Sequence, residues 1–567
     1  MATWLESATA AVADSAAPHC PPARGCVADV PLIQIVRVRQ MSGSTNSFEA
    51  TPDMSVRALK RQLRFSHPTL DDFSKRLTTL ELIRGDRKLE NDKTLEELQI
   101  EKEEVLDAVF SIAPVQCAKK DESPCDLEDL RFVSIPSGVT EIEDNAFENC
   151  PFLISVLIPE TVTEIGEAAF RDCICLERIE IPNTVTDIGE QAFANCLSME
   201  KIEIPNSVTE IWENAFSGCQ SLVSVTLPDS VTEISEGTFE GCESLESVVI
   251  PDTVREIGAG AFAGCGALRE VVIPDSVTEI GSAAFQHCTS LFSVTLPDSV
   301  TDIGEASFEG CKALRSLTVP SSVGYIGSKA FSGCSSLATL TIPPDSIPQV
   351  RPGAFANCSF RSLAIPNSVL DIANGAFARC TQLEWLIIPA SVHHIGPSAF
   401  KGCVRLQHVE IPDSVTEIGE CAFAGCVEAK TLKLSRSLTE IGDSAFEGCS
   451  SVEELDIPFC VERIGRAAFA SCSQLKVLAL GDALMEISDC AFEHCSSLST
   501  VSLPESLKYV APRAFARSGL QPPLFLPRRG GPIIVGEEAF PQELKVPSFS
   551  QQMHPEECEE ESFCCLH

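Results

Sequence analysis

Basic residues are scarce in this chain. Lys and Arg number 42 against 81 Asp and Glu, a formal net charge of −39 over 567 residues. That balance disfavours contact with nucleic acid or an anionic membrane face, because their phosphates repel it. A basic or neutral protein is the partner that fits, and the acids also keep a long apolar array in solution. Long apolar runs are missing as well, and none approaches the roughly 20 residues of a membrane span. The first residues lack a basic n-region, and Glu6 and Asp14 fall where a secretory signal would be apolar. These features lead to the expectation of a soluble cytoplasmic protein. The nine His stand without a spaced metal motif, and neither a nucleophile elbow nor a phosphate loop is found. No enzyme activity, metal or cofactor is therefore expected.

Trp and Tyr are rare, 3 and 2 against 30 Phe. Such a skew points to one structural unit used many times. Phe recurs from Phe147 and Phe170 through Phe492 and Phe515, nearly always 23 residues apart, which gives seventeen units. In the unit from Leu245 to Cys265, Val248 and Ile250 have the period-2 spacing of a short strand. Pro251 ends that strand, because it has no N–H for a ladder, and Asp252-Thr253 starts a turn. Val254 and Ile257 read as a second extended segment, Gly258 as a tight bend, and Ala261-Phe262-Ala263 as one helical or 3₁₀ turn that drops Phe262 and Cys265 inward. One coil alone cannot bury these side chains, but a stack can. Seventeen coils in parallel pairing, about 4.8 Å apart, make an arc on the order of 80 Å. The Phe interval breaks once, at Phe355, while Pro343 and Pro366 stay 23 apart, so an insertion before Phe355 is cancelled by a deletion after Cys358. A local bulge around 346–362 is expected, with the register kept.

Of the 27 Cys, sixteen stand three residues after a repeat Phe, from Cys150 to Cys495, and Ser518 takes the last such position. Successive rungs point the same way, so their Cβ vectors do not converge as a disulfide requires. They read as small buried thiols that fill a corner and hydrogen-bond the turn backbone. So many inward thiols suit a reducing compartment. The other Cys, such as Cys20, Cys26, Cys117 and Cys125, form no pair of zinc-ligand couples. Cys564 is four residues from the end, as in a prenylation box, but the terminal His567 and the acidic stretch before it fit a plain surface tail better.

The pattern L-x-x-V-x-I-P…V-x-x-I-G-x-x-A-F-x-x-C over residues 126–518 resembles leucine-rich repeats of the BspA type. The resemblance implies a leucine-rich repeat solenoid, mainly β with short helical or 3₁₀ turns, and binding or adhesion roles without chemistry. Residues 33–111 follow another pattern, read as β-β-α-β-β, with strands at Ile33 to Met41, Ser47 to Thr51, Leu77 to Ile83 and Val105 to Phe110, and a helix at Val56 to Leu63. The stretch from Leu77 to Phe110 resembles the second half of ubiquitin, including Leu89-Glu90, Thr94-Leu95, Ile100 and Lys102-Glu103. That resemblance implies a small α+β ubiquitin-like (β-grasp) domain, with Leu82 and Val109 on its apolar recognition patch. Asp107 stands where that family has a His, and no diglycine follows Phe110, so the module is expected to be integral. The expected organisation is a disordered N-terminus at 1–30, the ubiquitin-like domain at 31–113, a linker at 114–125, the solenoid at 126–518, and a degenerate cap with an acidic disordered tail at 519–567.

Outward strand residues line one broad face of such a solenoid. From Ser224 to Thr341 they are small, polar and flat, and the following coils change character with Trp385 and Ile387, then His408 and Glu410, then Thr431 and Lys433. An outward Trp offers large contact area at low entropy cost. Trp385, Ile387, His408 and Glu410 are the candidate partner-binding residues, whereas Trp212, at a corner where other units carry Gly, reads as a packing variant. His393 and His394 take positions filled elsewhere by Thr and Glu, and are expected to be solvated. The leading expectation is a non-enzymatic scaffold or adaptor whose strand face holds a protein client, with the ubiquitin-like domain linking it to ubiquitin-pathway or other machinery. The alternative is a cell-surface adhesion or recognition protein.

Overall fold

A computed structural model describes residues 131–135, 137–522, 524, 533–542 and 544, together with the backbone of five strands between residues 34 and 112. The chain divides into two compact units, a small N-terminal one and the repeats. The small unit holds β1 (Gln34–Gln40), β2 (Thr45–Ala50), β3 (Thr78–Arg84), β4 (Arg87–Lys88) and β5 (Val105–Ile112) in one sheet of order β2-β1-β5-β3-β4. The pairs β1–β2 and β3–β4 are antiparallel, while β1 and β5 run parallel. The helix expected at Val56 to Leu63 lies outside the described residues.

The second unit is a β-solenoid of the leucine-rich repeat type. Each coil has a three-residue strand such as Ser247–Val249 and a two-residue strand such as Glu256–Ile257, and each kind pairs with its equivalent one coil away in parallel register. Alternation puts Val248 in the core and leaves Ser247 and Val249 outside. The core is a set of columns, with every repeat Phe from Phe147 to Phe515 buried. Adjacent rings stack nearly parallel, with centroids 5.0–5.7 Å apart. Each buried Phe contributes about 1.5–3 kcal/mol from area alone. The stack runs one rung past Phe515, to Phe540, and the strand Ile534–Val535 pairs with Tyr509–Val510.

The turn at each Phe differs from the expectation. Among the described residues there is no helix. Around Phe262, the amides of Ala261, Ala263 and Cys265 donate to carbonyls three residues back, at 3.3, 2.9 and 3.2 Å. The alternate amides, of Gly260, Phe262 and Gly264, donate instead to Ser282, Ala284 and Gln286 of the next coil, at 2.8, 2.7 and 2.7 Å. Left-handed φ at Gly260 and Gly264 produces this alternation, and Gln191 and Asn195 do the same around Phe193. A helix sends all its amides along one axis, and these turns send every second one across to the neighbour. Gly258 is also required for a reason other than bend freedom. A Cβ there would lie 2.7 Å from the Ile234 carbonyl oxygen, so the constraint is the close approach of two backbones.

The cysteine column joins the same network. The Sγ of Cys265 donates to the Phe239 carbonyl at 3.2 Å, Cys288 to Phe262 at 3.2 Å, and the pattern holds from Cys173 to Cys495. The Phe262 carbonyl thus accepts the Cys265 amide of its own coil and the Cys288 thiol of the next, so both lone pairs are used. A hydroxyl column after the Pro corner adds another link between coils, as Thr253 donates to Val231 and Ser299 to Val277, both at 2.7 Å.

Burial pushes the thiols of Cys288, Cys334, Cys380 and Cys495 up to about 12 from 9.0. An acid raised in the folded state binds its proton there at pH values where the unfolded chain has lost it. Stability from these groups is therefore complete below pH 9 and is lost as pH rises toward 12. Thermal melts at stepped alkaline pH are expected to show Tm falling through that window, and alkylation of the native protein at pH 8 is expected to spare the column. Ser518, at the last rung, leaves its buried hydroxyl without a hydrogen bond. Ser518→Cys is expected to stabilise the C-terminal end by about 1 kcal/mol, read as a higher Tm, because a longer thiol reaches the Phe492 carbonyl.

Candidate functional site

The three-residue strands build one continuous face, and their outward side chains are what another molecule would touch. From Ser224–Thr226 through Trp385–Ile387 the only charged outward residue is Glu270. Val249 and Val272 are exposed here among Ser and Thr. Near the N-terminal end of the face, a shallow recess is lined by Arg178, Glu180, Lys201 and Glu203 beside Pro182 and Pro205, so its charges are mixed.

Trp385 and Ile387 share one strand and are 54% and 65% exposed. Their neighbours on one side are Ser362 and Ala364, in register, which leaves the indole standing above small residues. On the other side His408 lies opposite Trp385, with ring centroids 5.0 Å apart and planes tilted by 30°. The Nδ1 of His408 is 2.8 Å from the Thr431 Oγ1, and Glu410 forms an ion pair with Lys433. The structure therefore brings Trp385, Ile387, His408 and Glu410 together on adjacent strands, with His408 and Glu410 each tied to a further coil. Leu82 lies in β3 and Val109 in β5, which are neighbours in their sheet, but their side chains lie outside the described residues. Trp212 is exposed at a corner, off the strand face. His394 is half exposed, with Nδ1 2.7 Å from the Asp371 carboxylate.

A second feature was not anticipated in the sequence reading. The outward residues of the two-residue strands form carboxylate columns in two in-register runs, Glu141, Glu164, Asp187 and Glu210, then Glu233, Glu256, Glu279 and Asp302. Like charges directly opposite one another are unfavourable. Glu164 shows the strain: partial burial, and then the charges of Glu141, Asp187 and Asp144, hold its carboxyl above the usual range. The signal was in the repeat as V-T-E-I and V-T-D-I, but it becomes a column only once the register is known.

These surfaces offer contact and hydrogen bonding. The column thiols are sealed from solvent, and burial raises the pKa of Cys288, Cys334, Cys380 and Cys495, which closes nucleophilic chemistry to them. Among the described residues no group of three His, Cys, Asp or Glu is placed to hold a metal, and no helix is long and apolar enough to cross a membrane.

A solenoid with Phe, Cys and Pro columns and an open strand face defines the class, a repeat protein of the leucine-rich type. The model of the BspA type leucine rich repeat region matches in six overlapping copies, from residues 140–268 to 393–521, and the chain belongs to that family. A leucine-rich repeat protein from Bacteroides ovatus is 28% identical, with a TM-score of 0.51 over 68% of this chain and 88% of that one. A leucine rich cell surface protein from Faecalibacterium prausnitzii is 29% identical over 65% of this chain and 86% of its own, with a TM-score of 0.33. The leucine-rich repeat protein of T. pallidum is 33% identical over 32% of this chain and 78% of that one, with a TM-score of 0.26. No curated protein matches the chain.

Glu164 supplies a test of the carboxylate column. A carboxyl raised on folding contributes stability that is present at low pH and lost as pH rises through its folded value. Glu164→Gln is expected to raise Tm at pH 7 in low salt, and the gain is expected to shrink as the pH is lowered or salt is added. An unchanged Tm in low salt would show that the column carries no net repulsion.

Proposed function

We propose that this protein is a non-enzymatic scaffold, or adaptor, in which the solenoid's strand face holds a protein client at Trp385, Ile387, His408 and Glu410. The observation that carries this reading is the exposed Trp385–Ile387 pair above small neighbours, at the end of a stretch from Ser224 that is nearly uncharged. Large apolar side chains held out of the core by rigid strands are suited to be anchors, because little conformational entropy remains for them to lose. The ion pair of Glu410 with Lys433 and the mixed charges near Arg178 serve orientation more than affinity.

In this proposal the N-terminal unit is a ubiquitin-like domain that links the client to ubiquitin-pathway or other protein machinery through Leu82 and Val109. Support comes from the resemblance over Leu77 to Phe110 and from a sheet in which two antiparallel pairs are joined by the parallel β1–β5 contact. The free, buried thiols of the solenoid support a reducing, cytoplasmic location. Surface adhesion is the competing reading, and it requires an exported pool of the protein.

The test compares the full chain with a Trp385→Ala, Ile387→Ala double variant. The partner recovered under reducing conditions is expected to bind the variant about 30-fold more weakly, a loss of about 2 kcal/mol. Melting curves of the two proteins are expected to agree closely, since both side chains point outward. In a Trp4→Phe, Trp212→Phe background, Trp385 emission is expected to shift to the blue on binding. Equal affinity for the same partner would reject this surface, and finding the protein only outside the cell would reject the adaptor reading.

A further inference from the structure

The register slip at Phe355 divides the hydrogen-bonded ladders. The strand Thr339–Thr341 pairs back to Ser316–Thr318, whereas Gln349–Val350 pairs forward to Asp371–Ile372. Neither pairing crosses residues 342–348. Thr339–Thr341 and Ser362–Ala364 belong to different sheets, and so do Tyr325–Ile326 and Gln349–Val350. Sheets also end elsewhere without any slip, as between Ser247–Val249 and Glu270–Val272 and between Thr431–Lys433 and Glu454–Asp456, but there the flanking strands stay side by side. At 342–348 they draw apart on both columns.

The chain itself accounts for the parting. Pro348 holds the position at which Thr301 and Gly324 donate their amides to the preceding coil, at 2.9 and 3.0 Å. It has no N–H to give. On the far side, the segment after Cys358 is one residue short, and the amide of Ser359 reaches Leu337 at 3.1 Å. Core side chains register the gap, for Leu340 and Ile342 are only half-buried where Leu317 and Val319 are buried.

Three links still cross, the first at Ser359, whose amide donates to Leu337 and whose hydroxyl donates to the Ser335 carbonyl at 2.6 Å. The Phe turns remain bonded, with Phe331 donating to Ala354 and Gly333 to Ala356, both at 2.8 Å, and the Cys358 thiol to Phe331 at 3.3 Å. The ring spacings there, 5.6 and 5.7 Å, are the widest of the stack. On the outer surface the Arg351 guanidinium carbon lies 4.5 Å from the centre of the Tyr325 ring, a cation–π contact from one side of the gap to the other.

We propose that residues 342–348 are a joint in the solenoid: the Phe turns form its hinge line, the strand side opens, and Arg351 on Tyr325 is the clasp that holds it closed. The uncharged stripe ending at Thr341 then lies on one side of the joint, and Trp385 with Ile387 on the other. Opening changes the distance between them, so one strand face can adapt to clients of different length. The hinge is of the kind in which a short segment absorbs the rotation between two rigid bodies.

Paired spin labels on genetically encoded side chains in the full chain test this without touching the native thiols. Ser247 and Thr431 span the joint, while Ser155 and Thr339 are separated by the same number of coils on one side of it. The spanning pair is expected to give a distance distribution about twice as broad as the control pair, as two bodies on a hinge require. Arg351→Ala, and separately Tyr325→Leu, are expected to broaden the spanning distribution further and leave the control unchanged. Equal widths for the two pairs would overturn the joint. A spanning width that neither substitution alters would overturn the clasp.

Discussion

At each turn a Phe ring stacks on the ring of the next coil, and the carbonyl of the same residue accepts an amide from its own coil and a thiol from the next. One residue therefore supplies apolar burial, ring stacking and two hydrogen bonds, all directed along the solenoid axis. The turn can do this because two residues four apart, such as Gly260 and Gly264, take left-handed φ, and every second amide then reaches the neighbour. No coil has a partner within itself for the ring, the thiol or every second amide, so the fold exists as a sum of interfaces between neighbours. The tight Gly258 approach, the cysteine column and the hydroxyl column all follow from holding adjacent coils that close.

The 23-residue spacing made the columns legible before any coordinates, because a residue that repeats at one position must face its copies. Alternation about Val248 likewise told inside from outside, and it placed Trp385 and Ile387 on the open face. The turn conformation was not legible. The residues that take left-handed φ are Asn145, Ala168, Gln191, Lys329 and Ser398 as well as Gly, so no local composition signals it. They tolerate it because their amides are paired across coils. The stacking of His408 on Trp385, the tie of Glu410 to Lys433 and the contact of Arg351 with Tyr325 join residues 23 or more apart, and none has a local signature.

Charge is sorted by column. Acids fill the outward positions of the two-residue strands from Glu141 to Asp302, while the strand face between Ser224 and Ile387 is almost free of them. Stacking like charges costs some repulsion, as Glu164 shows. This sorting leaves the strand face as the place where apolar contact is not opposed by a local field.

The same additivity explains why a slip in register survives in the middle of the array. In a single globular core, an inserted residue disturbs packing everywhere. In a stack, it weakens one interface, and the coils on either side keep their own neighbours. The insertion before Phe355 and the deletion after Cys358 act as a pair: the first lets the strands part, and the second returns the chain to register so that Phe355 still stacks on both sides. The consequence is mechanical. Where the strand ladders are cut and the Phe turns are not, bending is easiest about the turns, and it moves the strand face more than any other part of the coil. A weak interface placed beside Trp385 is thus positioned to alter the geometry of the strand face on which that side chain stands.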